Sequence, residues 1–201
     1  MFCLLKIVTE CTIASAGRVT GSAMIDKIRP SSLEKFDFTL FVQNVRSMND
    51  PLKCSIIEDI INEEKHKIIC ITEHWLKDEM LECNLLQNFK LASCYCRKQL
   101  KGGGTAIFVR NSISTEECKF ISEISIDKHF EVSATHLKGS TTDLIIMCIY
   151  RSPSGDFNVF LEKLEEIFRN LDVQQKYIIV GDFNVDVSEE CKQKKRPPQC
   201  F

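Results

Sequence analysis

Apolar positions along the chain fall into two rhythms, one of period two and one of helical spacing, and they alternate from Phe36 onward. Residues 38–44 read as a strand. Asp50 and Pro51 then supply a cap and a first helical position. Leu52, Ile56, Ile57, Ile60 and Ile61 follow on one face of a helix predicted to run to about Lys67. Residues 68–71 form an uninterrupted apolar run, a buried strand that completes a strand–helix–strand unit. Further strands are predicted over 105–109, 130–137, 144–149 and 177–180. Pro153, Ser154 and Gly155 break the chain before a second helix over about 156–171. Its Phe157, Phe160, Leu161, Leu164, Ile167, Phe168 and Leu171 hold the helical period throughout. Strands alternate with helices and outnumber them, which predicts an α/β fold built as a layered sandwich.

The rest of the chain sets the boundaries. Residues 1–35 carry no sustained period and read as a leader, a disordered arm or unrelated sequence. Residues 36–188 form the domain, and 189–201 read as an irregular tail with Lys192, Lys194, Lys195 and Arg196. The 201 residues, 44% of them hydrophobic, suit one globular core. The apolar start and Ala14-Ser15-Ala16 have the outline of a secretion signal, but Lys6 and Glu10 interrupt its apolar centre. No run approaches the roughly 18 apolar residues of a membrane span.

Charge and cysteine content narrow the class. A net charge of −2 gives no basic footprint for nucleic acid, yet it does not exclude a site that must itself be acidic to hold a cation. Eleven cysteines read as reduced thiols of an intracellular protein with no disulfide-linked partner, because Cys54, Cys70 and Cys148 sit in apolar or amphipathic runs. Cys94-Tyr95-Cys96 lacks the two-residue gap of common zinc knuckles.

Candidate chemistry lies where the apolar strands stop. The strands end at Gln43-Asn44, Thr72-Glu73-His74, Tyr150-Arg151 and Gly181-Asp182-Phe183-Asn184. Side chains at the ends of a rigid sheet converge without being buried. Two carboxylates, carboxamides and a phenol gathered in this way suit a hard cation beside a phosphate. Magnesium takes oxygen ligands, commonly with only one or two protein carboxylates.

The ordered set Gln43-Asn44-Val45-Arg46-Ser47, Thr72-Glu73-His74-Trp75-Leu76, Gly102-Gly103-Gly104-Thr105-Ala106, Ile149-Tyr150-Arg151-Ser152-Pro153 and Gly181-Asp182-Phe183-Asn184 resembles the endonuclease/exonuclease/phosphatase superfamily. Within it, the wording is similar to the reverse-transcriptase-associated endonucleases of non-LTR retrotransposons, over roughly residues 37–187. The resemblance implies a DNase I-like sandwich that hydrolyses phosphodiesters in DNA with Mg²⁺ or Mn²⁺. It implies that Glu73 binds the metal and that Asn44 helps to place metal and phosphate. Tyr150 and Arg151 would contact the phosphate, Asp182 would orient or deprotonate water, and Asn184 would support it. Family members continue to a Ser-Asp-His motif, whereas this sequence ends at Phe201. The expectation is a sandwich incomplete at its C-terminus, with weak or no activity, poor solubility and an unpaired sheet edge. A non-catalytic DNA- or metal-binding remnant and a phosphatase of phosphorylated lipids or inositols are the alternative readings. Gly102–Gly104 reads as a flexible turn into an edge strand, or as an amide cradle for phosphate. Arg97, Lys98, Lys101 and Arg110 read as a solvated face, or as a track for DNA.

Overall fold

The computed structural model describes residues 8–9, 39–81, 86–138, 143–172 and 175–184. The tail assigned to 189–201, and the leader apart from Val8 and Thr9, lie outside the described residues. Two sheets stack face to face with helices outside them. One has five strands in the order β1(Val8–Thr9), β9(Lys176–Asp182), β8(Asp143–Tyr150), β7(Glu131–Lys138) and β6(Ser114–Glu117). The other has four, in the order β2(Leu40–Asn44), β3(Ile68–Thr72), β5(Thr105–Arg110) and β4(Phe89–Tyr95). β2 and β3 run parallel, joined by helix α1(Pro51–Glu63). β8 and β9 are likewise parallel, joined by helix α3(Phe157–Asn170), while a one-turn helix α2(Lys119–Ser122) precedes β7. The layered α/β sandwich expected from the sequence is the architecture observed.

Alternation along the strands sorts the core into three layers. Between the sheets lie Ile68, Cys70, Ile107 and Val109, facing Leu137, Leu144, Ile146, Cys148 and Val180. The odd-numbered residues of β3, Ile69 and Ile71, instead meet Ile57 and Ile61 of α1. Phe130, Val132, Ala134, Met147 and Ile149 meet Phe160 and Ile167 of α3 on the far side. Each strand that is apolar on both faces is therefore buried on both faces. The six described cysteines are free thiols, and Cys70 and Cys148 fill inter-sheet space as small apolar groups.

The structure revises several sequence expectations. α1 stops at Glu63 rather than near Lys67, and Leu52 and Ile56 on it are exposed. β4, β6 and α2 arise in stretches for which the sequence predicted no element. The glycine run leads into β5, an inner strand rather than an edge. Both long helices have aspartate caps: Asp50 accepts from Leu52 N, and Asp156 from Asn158 N at 2.8 Å and Val159 N at 3.3 Å. Asp156→Ala is expected to destabilise the protein by about 1 kcal/mol, read as a lower urea midpoint with an unchanged slope.

Candidate metal and phosphate site

The layer between the sheets changes character along its length. Its lower part is mainly apolar, and its upper end is polar, because the inward-facing alternation of each strand terminates in a polar residue. Across the four-stranded sheet, Asn44, Thr72 and Thr105 are direct neighbours in register. Across the five-stranded sheet, Glu131, Tyr150 and Asp182 are neighbours in the same way. Thr105 reaches the other sheet just below that row, at Ser133, with hydroxyls 2.6 Å apart.

Asn44 is the centre of this end. Its Nδ2 donates to Glu73 Oε1 at 2.8 Å and to Asp182 Oδ2 at 2.8 Å, joining residues 138 positions apart. Its Oδ1 is buried and has no partner. A buried amide oxygen without a donor carries a desolvation penalty, and a cation is one group that removes it. Asp182 is 5% exposed, and its other oxygen, Oδ1, accepts from Asn184 N at 3.1 Å. Tyr150 lies beside Glu73: burial first, and then that carboxylate, push its phenol well above the ordinary tyrosine range.

The loops around these groups are held in unusual backbone. Of eight described non-glycine residues with positive φ, Arg46, Ser47, Glu73, Trp75 and Asn184 flank this site. Such conformations cost about 1–3 kcal/mol each and persist where surroundings impose them. Here the surroundings are hydrogen bonds between loops. Glu73 N donates to Gly104 O at 2.8 Å and Trp75 N to Gly103 O at 3.0 Å. Ser47 N donates to Glu73 O at 2.8 Å and Met48 N to His74 O at 2.9 Å. Lys53 of α1 reaches back to the carbonyls of Val45 and Arg46.

Two basic residues behave differently from the sequence reading. Arg151, assigned to phosphate, is 7% exposed, and its guanidinium donates to the carbonyls of Phe183, Gly155 and Asn184. Asn184 returns a bond from its Nδ2 to Arg151 O at 2.7 Å. The Arg151 side chain thus clamps the loop that follows Asp182, and Tyr150 is the member of that pair adjoining Glu73. Arg97, read as part of a solvated face, is also buried, in an ion pair with Glu131. Sequence inspection missed that pair because its members are 34 residues apart. The amide of Gly104 is likewise committed, to Glu131 Oε2 at 2.6 Å, so it is not free to cradle a phosphate.

His74, Cys94 and Cys96 form a second cluster, with ligand atoms within 4.8 Å of one another. The hydrogen bonds of His74 argue against a metal there. Its Nδ1 accepts from Leu76 N at 2.9 Å, which leaves the proton on Nε2, 3.0 Å from Tyr95 O. The nitrogen nearest the thiols is therefore a donor, not a ligand. His66 pairs with Glu64, and His129 Nδ1 accepts from Asp156 N. His136 lies within β7, paired in register with Ile145.

Comparison of the whole fold with solved structures gives consistent neighbours. The endonuclease domain of TRAS1, a telomere-specific non-LTR retrotransposon, superposes with a TM-score of 0.56 at 13% identity, covering 74% of this chain and 61% of that one. The fold is DNase I-like. TDP2 of D. rerio, complexed with a single-strand DNA product, gives 0.55 at 13% identity, over 79% of this chain and 65% of that one. A mannosyl-6-phosphatase of Bacteroides thetaiotaomicron gives 0.50 at 18% identity, over 74% and 66%. This DNase I-like chain thus spans less than two thirds of these neighbours' lengths. No family model matches the sequence, and no curated protein sequence matches it significantly. No described helix is long and apolar enough to cross a membrane.

Proposed function

We propose that this chain is a divalent-metal-dependent phosphodiester hydrolase domain acting on DNA, of the retrotransposon endonuclease type. The observation that carries the reading is the Asn44 amide, which ties the Glu73 and Asp182 carboxylates together while its own Oδ1 stays buried and unpartnered. Glu73 and Asn44 Oδ1 offer oxygens of the kind that Mg²⁺ or Mn²⁺ prefers, and the one carboxylate of Glu73 lies within its usual demand of one or two. Such an ion, when bound, offsets charge developing on a phosphoryl oxygen.

The protein's own groups divide the remaining work. Tyr150 offers a phenol to a phosphate oxygen, and its raised pKa keeps it a donor at any physiological pH. Asp182 holds and polarises the attacking water as a general base. Asn184 N fixes the rotamer of Asp182 by bonding Oδ1. Arg151 holds the carbonyls of Phe183 and Asn184, just after Asp182. The superposition with TRAS1 endonuclease and the motif wording from Gln43 to Ser47 support the retrotransposon branch over the phosphatases.

Mn²⁺ binding followed by spin resonance tests the metal assignment, and nicking of supercoiled plasmid tests the substrate. Glu73→Gln removes one ligand charge with little change of volume. It is expected to weaken Mn²⁺ binding by more than about 100-fold, beyond the usual loss for a residue that only orients a ligand. Any nicking should fall with it. Equal Mn²⁺ affinity in wild type and Glu73→Gln would reject the site. Glu73-dependent release of phosphate from a sugar phosphate, with intact plasmid, would transfer the proposal to a phosphatase.

A further inference from the structure

Behind Glu73 lies a buried ion pair that the reaction does not use directly. Arg97, just beyond β4, points its guanidinium into the seam between the sheets, and Glu131 at the start of β7 is fully buried. Arg97 Nε donates to Glu131 Oε1 at 2.6 Å, Nη2 lies 2.6 Å from the same oxygen without a hydrogen bond of its own, and Nη1 donates to Lys101 O at 3.2 Å. Glu131 also accepts from Gly104 N at 2.6 Å and Lys128 N at 2.7 Å. The same guanidinium lies 5.9 Å from the centre of the Tyr150 ring.

The glycine run is held between this pair and the Glu73 loop. A Cβ on Gly103 would sit 2.2 Å from Arg97 Nε, so the guanidinium rests on bare backbone. The carbonyls of those same residues, Gly103 and Gly104, face the other way and accept from Trp75 N and Glu73 N. Glu73 and Trp75 are both in the left-handed region, at φ +56° and +58°, a conformation that needs external support. The pair is a poor source of stability, since desolvating two charges offsets most of their attraction and replacing both partners by apolar groups is often neutral, whereas removing one alone leaves a buried charge uncompensated. What it supplies is direction: a fork of fixed geometry gripping a carboxylate that grips Gly104.

Resting on the assignment of Glu73 as the metal ligand, we propose that Arg97 and Glu131 are positioning residues, which set Glu73 through the backbone of Gly103 and Gly104. Trp75 makes this testable without metal. It is the single tryptophan of the chain, and its indole lies against Gly102, so its emission reports this loop alone.

The experiment compares full-length wild type, Arg97→Met, Arg97→Lys and Arg169→Ala, the last breaking an exposed pair with Glu165. Trp75 quenching by acrylamide is read in chelator, and Mn²⁺ affinity separately. Arg97→Met is expected to keep its far-ultraviolet spectrum and a cooperative melt, at a lower midpoint because Glu131 loses its partner. Its Trp75 should become more quenchable, and its Mn²⁺ affinity should fall by about 10–100-fold, the usual loss when a ligand's support is removed. Arg97→Lys keeps the buried charge but not the fork, and should show both changes in smaller degree. It carries the test if the methionine variant does not fold. Arg169→Ala should match wild type in both. Folded Arg97 variants with unchanged Trp75 quenching overturn the proposal. A wild type that binds no Mn²⁺ overturns the metal assignment and leaves the quenching result to decide the positioning role.

Discussion

Gly181→Ala is expected to cost the protein most of its stability, by more than about 4 kcal/mol, a range reached only when a substitution breaks something specific. Gly181 has φ +140°, a conformation that residues with a Cβ rarely adopt. It also pairs directly with Ile149 on β8. A Cβ there would lie 1.8 Å from Ile149 O and 2.7 Å from Ile149 C. Both are main-chain atoms of a strand buried on both faces, so no rotamer change relieves the clash. β9 would have to leave β8 one residue before Asp182. Soluble yield and urea unfolding check this. A variant that melts within about 2 °C of wild type, less than 1 kcal/mol for a domain of this size, would show that the strands separate more easily than their packing implies.

Acidification is expected to remove about 3 kcal/mol through His74 alone. Burial holds its imidazole down to about 4 in the folded protein, against 6.5 for a free histidine, and each unit of difference is worth about 1.4 kcal/mol. The group binds its proton more weakly when folded, so between those two values the unfolded chain carries more protons. Stability therefore rises with pH across that window and is lost as pH falls from about 6.5 toward 4. Carboxylates add their own slope, so the decisive comparison is with His74→Gln in chelator. Glutamine offers a donor to Tyr95 O and an acceptor to Leu76 N but does not titrate. The variant should unfold with a shallower dependence on pH between 6.5 and 4.5. Parallel curves for the two proteins would mean that His74 is not held neutral.

Much of the site was legible because β-strand alternation is simple arithmetic. Val42 and Asn44, Cys70 and Thr72, Cys148 and Tyr150, and Val180 and Asp182 are each two apart. If the first of each pair faces the other sheet, the second does too, and a polar end to the inter-sheet layer follows. The strand–helix–strand units followed equally from apolar spacing. What failed lacked such a pattern. β6 is a polar edge strand whose residues are exposed or half-buried, so hydrophobicity gave no rhythm. β4 contains a register shift between Leu91 and Ser93 that breaks its alternation. Arg97 stands among Lys98, Lys101 and glycines, a local composition that reads as solvent-facing. Its burial is decided by Glu131, whose place opposite it follows only from the stacking of two sheets.

Each sheet, β1 apart, is drawn from its own stretch of chain: residues 40–110 for one and 114–182 for the other. The first stretch therefore leaves the ribosome with Ile68, Cys70, Ile107 and Val109 ready to face a sheet that has not yet been made. At about 5–20 residues per second, the stretch from the end of β5 at Arg110 to Asp182 takes on the order of ten seconds to synthesise. Throughout that interval the apolar face of the first sheet has no natural cover, and its Asn44 and Glu73 have no Asp182. That interval, with the apolar face of a finished sheet waiting for its partner, is a stage at which the chain is open to aggregation.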